Sequence, residues 1–310
     1  RPKHQGSQET SARWRRDFNG NSDCGFDRLL GPAYLKMPLI RGIAFAFILM
    51  LSGCMSTTRS TDFYSLVSPQ LPEFYQIPGV PFIDQTTDYC GPATLTMAMR
   101  WAGQNVSVES VAAQVFTPGM SGSLPENLVG TSRRQGLMAV PVHSFSALLT
   151  EVAAGHPVIV FANLGFRWAP VWHYALILGY DLKKKEMIMH SGHEELHRES
   201  MRRFEHTWML ADNWGLVVLP AGELAVSADE LRHVSAAVGL ELTQKTESAE
   251  KSYRGILKKW PTSLVALIGL ANITYRKGHR HEAIALLRNA LLYHPESKAA
   301  QHNLAVAEFQ

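Results

Sequence analysis

The spacing of hydrophobic and polar positions changes along the chain, and each change predicts a different kind of structure. Between residues 75 and 220, stretches with helical spacing come first, and short, nearly continuous apolar runs follow. From residue 246 onward the spacing is helical throughout. The pattern predicts an α+β domain, with N-terminal helices and an antiparallel sheet, followed by an all-α tail.

Turn residues divide the α+β domain into predicted elements. We expect helices at 90–101, 107–116, 124–135 and 145–154. We expect strands at Val158–Ala162, Trp172–Tyr180, Glu186–His190 and Val217–Leu219. Residues 221–245 are interpreted as a linker with one short helix that begins near Ser227, where the sequence Ser-Ala-Asp-Glu is typical of a capping box.

The tail repeats with a fixed period. Pro261 and Pro295 are 34 residues apart, and so are Leu257 and Leu291. Paired helices with this period resemble the tetratricopeptide family, so we expect repeats in residues 246–310, with helices at 247–260, 263–276, 280–293 and 297–309. The resemblance implies a concave surface for a peptide or a partner protein. The alternative is a helical prop, and docking on the preceding domain is favoured because so few repeats are not expected to be stable alone.

The segment before the α+β domain has the pattern of a processed N-terminus. Residues 1–36 are polar and are interpreted as an upstream extension that precedes a start at Met37. Arg41 and the apolar run at 42–51 follow, and a run of about ten residues is too short to span a bilayer. This favours a signal peptide at 37–53.

The end of this apolar run, Leu51-Ser-Gly-Cys54, resembles the lipobox of bacterial lipoproteins. The resemblance implies lipidation of Cys54, a Ser-, Thr- and Pro-rich tether at 54–74, and anchoring in the bacterial cell envelope. Met55 stands where the enterobacterial sorting rule has Asp for the inner membrane, which favours the periplasmic face of the outer membrane. An ordinary signal peptide is the alternative.

Charge and composition exclude several classes of protein. The chain has 30 Lys and Arg, 27 Asp and Glu, and a net charge of +3. The first 36 residues alone account for that excess, and the remainder holds 23 basic and 23 acidic residues. We therefore expect no nucleic-acid partner, which would need a clustered basic face. With 46% hydrophobic residues and 3 Cys, the chain is neither wholly disordered nor a disulfide scaffold.

Candidate chemistry centres on Cys90, which opens a predicted helix with Pro92 in its first turn. The positive end of a helix lowers the pKa of a thiol placed there. Gln85 lies close enough to present an amide beside this thiol, and His173 lies in an apolar strand far downstream. A Cys followed distantly by a His is the arrangement of an activated cysteine nucleophile. A buried Cys and a core His are the alternative.

Two blocks of sequence carry a family resemblance. Gln85-Thr-Thr-Asp-Tyr-Cys90-Gly-Pro-Ala93 and Trp172-His173-Tyr-Ala-Leu-Ile-Leu-Gly-Tyr-Asp181 resemble the C39-like branch of papain-fold cysteine peptidases, over residues 75–220. The resemblance implies that Cys90 is the nucleophile, His173 the general base and acid, and Gln85 an oxyanion donor together with the Cys90 backbone N–H. It implies no cofactor.

Three functions follow as expectations. The first is a lipid-anchored cysteine peptidase that hydrolyses a protein or peptide. The second is a weak or inactive papain-like scaffold that binds partners through its helical repeats. The third is a cell-wall endopeptidase, although such enzymes more often show Asp-Cys-Ser than Cys-Gly-Pro-Ala. Cleavage after paired glycines, found in transporter-linked relatives, is not carried over, because this sequence has no ATP-binding motif or membrane bundle.

The third catalytic position departs from the family pattern. An Asp-Pro is usual there, and this chain reads His190-Ser191-Gly192. Asp181 is a poor substitute, since eight residues of continuous strand place it about 26 Å from His173. Candidates to orient the imidazole are His190, Ser191, Glu194 and Asn163.

Two further patterns near His173 need an interpretation. His193-Glu-Glu-Leu-His197 matches the H-E-x-x-H pattern of zinc proteases, which requires a helix. Here it follows a strand and a Ser-Gly turn, so we interpret it as that turn and the next strand and expect no metal. Trp168 and Trp172 flank His173 and are candidates to line a substrate groove.

Overall fold

A computed structural model describes residues 71–85, 89–117 and 122–309, which belong to one compact unit. The predictions for residues 1–70, including the signal peptide, the lipidation of Cys54 and most of the tether, lie outside the described residues. Among the helices of the described part, none is both long enough and apolar enough to cross a bilayer.

The predicted helices of the α+β domain are confirmed to within one residue at each end. They are α1 (Cys90–Trp101), α2 (Val108–Val115), α3 (Pro125–Arg134) and α4 (Phe145–Ala153). Ser107 and Ser144 cap α2 and α4 through their hydroxyl oxygens, which accept backbone N–H groups at 3.2 Å. Pro125 stands in the first turn of α3, where its missing N–H costs nothing.

The sheet is antiparallel, as predicted. Its strands are β1 (Phe74–Gln76), β2 (Met138–Val142), β3 (Val158–Asn163), β4 (Trp172–Asp181), β5 (Glu186–Ser191), β6 (Glu194–Ser200) and β7 (Gly215–Leu219). The order is β2-β7-β3-β4-β5-β6, and β1 pairs with β4. Every pairing is antiparallel, and β4 lies in the middle with buried residues along nearly all of its length.

Four features differ from the prediction, and the first is the three-residue strand β1, which was not predicted. Strand β2 was not predicted: it lies at a sheet edge, where Pro141 is tolerated. Helix α5 (Met201–Met209) was not predicted, because its apolar residues stand among charged ones. The linker helix α6 (Glu230–Leu242) begins after Asp229, whose carboxylate accepts the N–H of Arg232 at 3.0 Å. The predicted capping box near Ser227 is therefore wrong.

Residues 246–309 contain the four helices that the sequence predicts. Helices α7 (Thr246–Lys259), α8 (Leu264–Arg276), α9 (Arg280–Tyr293) and α10 (Lys298–Phe309) differ from the predicted ends by at most one residue. Tyr253, Ile256 and Ile273 share one continuous apolar core with Leu219 and the rest of the sheet. The tail therefore packs on the α+β domain. Its assignment to the tetratricopeptide family stays a prediction.

Candidate active site

Cys90 is the first residue of α1, and its neighbour Gly91 lets the helix approach the sheet. The first N–H groups of a helix have no partner within it, so the end of α1 carries a partial positive charge. No acidic residue stands in the first turn of α1 to neutralise that charge. A Cβ at position 91 would lie 3.0 Å from Ser123 and 3.4 Å from the ring of Tyr174. Gly91 thus keeps the Cys90 end of α1 against β4.

Thr94 shows which face of α1 looks toward the strand that carries His173. Residues four apart lie on one face of a helix, so Thr94 stands one turn above Cys90. The Thr94 hydroxyl donates to the backbone oxygen of Tyr174 at 3.4 Å, and this residue directly follows His173. The face with Cys90 and Thr94 is therefore directed at the beginning of β4.

Gln85 joins this helix face to the turn between β5 and β6. Its amide nitrogen donates to the Thr94 hydroxyl at 3.3 Å, and its amide oxygen accepts the Gly192 N–H at 3.3 Å. Its backbone N–H donates to the Gly192 oxygen at 3.2 Å. The residue is only 2% exposed. Gly192 has a φ of 59°, a conformation that favours glycine.

His173 is the second residue of β4 and lies beside Ser191, which is the last residue of β5. Its Nε2 is 2.9 Å from the Ser191 hydroxyl oxygen. Both residues line a cavity of about 110 Å³ that is closed on the other side by β6 and α5. Burial lowers the pKa of His173 below its usual value, because the charged imidazolium loses water.

Tyr174 and His173 point in opposite directions, since successive side chains of a strand alternate between its faces. Tyr174 faces α1, where its hydroxyl donates to the Ser123 oxygen at 3.0 Å. Burial raises the pKa of Tyr174, and the nearby charge of a Cys90 thiolate raises it further. Cys90, Gln85 and His173 all belong to segments that meet near the beginning of β4, but the His173 side chain leaves the face of β4 opposite to the one that α1 contacts. The contact of the thiol with the imidazole stays a prediction.

Of the four candidates for the third position, Ser191 contacts His173. His190 is buried on the other face, where it accepts the Leu196 N–H at 3.2 Å. The Asn163 side-chain oxygen accepts two backbone N–H groups of the loop between β3 and β4. Glu194 pairs with His197 at 2.6 Å. Asp181 ends β4 at the far side of the sheet and receives the Lys184 N–H at 2.9 Å.

The H-E-x-x-H pattern lies on a turn and on β6, as we interpreted it. His193 pairs with Asp84 at 2.5 Å, and His197 pairs with Glu194, so the two imidazoles have different partners. Among the described residues, no group of three or more His, Cys, Asp and Glu is arranged to hold a metal ion.

The tryptophans divide between the core and the surface. Trp208 is 1% exposed and donates to the Trp214 backbone oxygen at 2.7 Å. Trp168 is 84% exposed and Trp172 is 51% exposed. Trp172 stacks on Phe161, on the same face as Tyr174. Both tryptophans are therefore on the surface, neither lines the cavity that holds His173, and the substrate groove stays a prediction.

Sequence reasoning missed two contributors to this site. The Thr94 hydroxyl accepts a hydrogen bond from Gln85 and donates one to β4. In the sequence, only its position one turn after Cys90 indicates this role. The Asp84–His193 pair holds the segment before Cys90 to the turn after Ser191. It was hidden because the two residues are 109 positions apart.

Cys90 therefore stands at the positive end of a helix that packs on the antiparallel strand carrying His173. Residues 77–216, just under half of the chain, match the model of the Peptidase_C39 like family. The match to this family is confined to the α+β part of the chain.

Solved structures that match part of the chain include three peptidases. A C39-like peptidase from Bacillus anthracis is 18% identical, with a TM-score of 0.40, over 48% of this chain and 98% of that one. The peptidase domain of Streptococcus ComA, a bifunctional ABC transporter of a quorum-sensing pathway, is 21% identical, with a TM-score of 0.39, over 46% and 99%. A double-glycine-motif protease of an AMS/PCAT transporter, in complex with the leader peptide, is 21% identical, with a TM-score of 0.35, over 46% and 93%. No curated protein matches the chain.

Proposed function

We propose that this chain is a cysteine peptidase that hydrolyses a peptide bond in a protein or peptide substrate. Cys90 is the nucleophile, His173 the general base and acid, and Gln85 the oxyanion donor together with the Cys90 backbone N–H. The observation that carries the proposal is the path of hydrogen bonds through Gln85. It ties the helix face of Cys90 to the turn that follows Ser191, and Ser191 contacts His173.

The reaction proceeds in two half-reactions. The thiol proton passes to His173, and the sulfur attacks the substrate carbonyl carbon. The resulting oxyanion accepts hydrogen bonds from the Gln85 amide and the Cys90 N–H. His173 returns the proton to the leaving amine, which departs and leaves an acyl-enzyme. Water then donates a proton to His173 and attacks the acyl carbon, which releases the acid and regenerates the thiol.

Alkylation by iodoacetamide tests the nucleophile directly. We expect Cys90 to react faster at pH 7 than a free cysteine, and we expect His173→Ala to remove that enhancement. A Cys90→Ala variant should not be labelled at this site and should lose peptide cleavage, followed by mass spectrometry of a digested peptide mixture. Equal rates in wild type and His173→Ala would reject the dyad. An active Cys90→Ala variant in cells would favour the scaffold function instead.

We also propose that lipid on Cys54 anchors the enzyme in the cell envelope, at the periplasmic face of the outer membrane. The lipobox-like sequence supports this proposal. Metabolic labelling with an alkyne fatty acid should mark the wild type and not a Cys54→Ser variant. The variant should also leave the outer-membrane fraction, which separates from the inner membrane on a density gradient.

We further propose that α7–α10 form a tetratricopeptide-like surface that binds a peptide or partner protein. Its support is the 34-residue period and a groove of about 440 Å³ lined by Leu257, Lys258 and Leu286 among others. Binding to a peptide array should be lost in Lys258→Glu and kept in Lys251→Glu, an exposed lysine outside the groove lining. Equal binding by both variants would remove the groove from the proposal.

A further inference from the structure

We infer that His233 is an acid-sensitive joint between the tail and the α+β domain, and that a second proton on its imidazole releases Trp260 at the end of α7. His233 is fully buried in α6, the helix that connects the two parts. Its ring contacts the ring of Trp260, with the two centroids 5.2 Å apart. The proposed peptidase chemistry uses neither residue.

The hydrogen bonding of His233 defines its uncharged state. Nδ1 lies 2.6 Å from the backbone oxygen of Asp229, which can only accept, so Nδ1 carries the proton. Nε2 then holds the lone pair. Nε2 is buried, and among the described residues it has no hydrogen-bond partner. A proton added to Nε2 would therefore place a charge in the protein interior, where desolvation disfavours it.

Trp260 is the residue whose contact the added charge weakens. It directly follows α7, and its N–H donates to the Ile256 oxygen at 2.8 Å. The ammonium nitrogen of Lys259 lies 4.5 Å from the centroid of its ring. An imidazolium at His233 would bring a second positive charge to the same ring, and like charges repel. Protonation therefore disfavours the contact between α6 and the end of α7.

The charges and carbonyl groups around His233 do not reverse this effect. Burial lowers the pKa of His233 the most, and the charge of Lys259 lowers it further. The backbone oxygens of Asp229 and Ala225 and the carboxylate of Glu151 in α4 act in the opposite direction. The pKa nevertheless stays below its usual value, so the folded junction keeps His233 uncharged.

The sign of the pH dependence follows from this lowered pKa. An open junction binds the proton more readily than the closed one does. The joint is therefore fully stable above the ordinary histidine pKa, and it loses stability as the pH falls from that value toward the lowered one. Glu151 does not cause the same change, since its own pKa is held below the usual carboxyl value. Its partner His156 is a second histidine at this junction, so the experiment must separate the two.

The turn after α7 also borders the proposed partner groove. Lys258 and Pro261 flank Lys259 and Trp260 in the sequence, and both line that groove. Release of Trp260 therefore alters the groove at acid pH. This consequence rests on the proposed function, whereas the joint itself does not.

Hydrogen exchange at pH 7 and at pH 5, followed by mass spectrometry, tests the joint in the full chain. The measured quantity is the protection of the amides of residues 256–264, corrected for the intrinsic exchange rate at each pH. His233→Phe keeps a ring against Trp260 and removes the titrating nitrogens. Lys259→Gln removes the nearby positive charge. His281→Gln is the matched control, since it removes an exposed histidine of α9.

Each chain has a distinct expected result. In wild type, protection should fall by up to about 25-fold from pH 7 to pH 5, the factor for an open state with an ordinary pKa of about 6.5 and a closed state that stays neutral. His233→Phe should lose most of this fall, although His156 is still present. Lys259→Gln should show a smaller fall than wild type, because its closed state binds the proton more readily. His281→Gln should match wild type.

Several results would overturn the inference. They are an equal fall in wild type and His233→Phe, an unchanged protection of wild type between the two pH values, or a loss of the fall in His281→Gln. If His233→Phe does not fold, as judged by circular dichroism, Lys259→Gln decides, and a fall equal to that of wild type counts against the joint. The experiment needs neither peptide cleavage nor a bound partner. Rejection of the Cys90 chemistry would therefore leave this inference standing, and the reverse also holds.

Discussion

Replacing Gln85 by methionine distinguishes two roles of its side-chain amide. The amide either donates to the oxyanion during catalysis or only supports the fold through its hydrogen bonds. Methionine keeps the length of the side chain but removes both its donor and its acceptor. The loss of the Gly192 contact should cost about 1 kcal/mol of stability, because a half-buried N–H loses its hydrogen-bond partner. If the amide also stabilises an oxyanion, acyl transfer should lose a further 10²–10³-fold, or about 2.7–4 kcal/mol of transition-state stabilisation.

Two probes of the same thiol measure these effects separately. Acylation of Cys90 by p-nitrophenyl acetate, followed by nitrophenolate release, passes through an oxyanion. Alkylation by iodoacetamide does not. We expect Gln85→Met to slow acylation by about 10²-fold and to slow alkylation by less than about threefold.

The matched control for this experiment is His193→Gln. It changes the exposed contact of the His193 ring with the Asp84 carboxylate, which holds the same segment to the same turn, and leaves Gln85 intact. An exposed pair of this kind contributes little to stability. The acylation rate and the alkylation rate of Cys90 should therefore both remain within about twofold of wild type. An equal fall of both rates in Gln85→Met would show that the amide only supports the fold. An unchanged acylation rate would remove Gln85 from the oxyanion site.

Two stability predictions concern contacts outside the site. Glu151→Ala removes a fully buried carboxylate that pairs with His156 at 2.7 Å and accepts the Ser227 N–H at 2.6 Å, and should cost about 3 kcal/mol in urea unfolding at pH 7. Burial opposes the charge of Glu151, but the hydrogen bonds from His156 and Ser227 hold its pKa below the usual value. Its contribution is therefore present above the ordinary carboxyl pKa and lost as the pH falls through the lowered one, so an equal cost at acid and neutral pH would contradict this account. Gly255→Ala should cost about 1–3 kcal/mol, because a Cβ there overlaps the Gly222 carbonyl, whereas Gly130→Ala meets only a flexible Arg134 at 3.2 Å and should stabilise α3 by up to about 1 kcal/mol. The same sign for both glycine variants in thermal melts would refute the packing argument.

The ends of several helices could be predicted from sequence, because residues within or next to each helix determine where it begins and ends. Serine caps and Pro125 define the starts of α2, α3 and α4, and the 34-residue period located the tail helices to within one residue. Contacts between distant segments had no such signal. Strand β2 contains a proline, and α5 is stabilised by Phe204 and Trp208 packing under the sheet. In both cases tertiary packing overrides local preference.

The candidate site was predictable in its residue types and not in its connections. Cys90, Gln85 and His173 were proposed from their pattern; hydrogen bonds join the segments that carry Gln85, α1 and the beginning of β4, and the catalytic roles stay predictions. Ser191 could not be selected over His190 from sequence alone. Adjacent residues of a strand face opposite sides, so a shift of one residue in the register between β4 and β5 exchanges them. The irregular pairing near Ile177 and Gly179 is where such a shift is introduced.

The shared core of domain and tail predicts that they unfold together. Tyr253 of α7 is 1% exposed, lies in the same apolar cluster as Leu219 of the sheet, and donates to Glu241 at 3.1 Å. Tyr253→Ala should therefore cost about 3–5 kcal/mol, and hydrogen exchange followed by mass spectrometry should show reduced protection in β7 as well as in α7. The end of the tail is different, because α9 and α10 bury their apolar residues in two small separate clusters. Their amides should exchange first in wild type. Full protection of β7 in Tyr253→Ala would show that the two parts are energetically independent, and the tail could then be removed without loss of Cys90 reactivity.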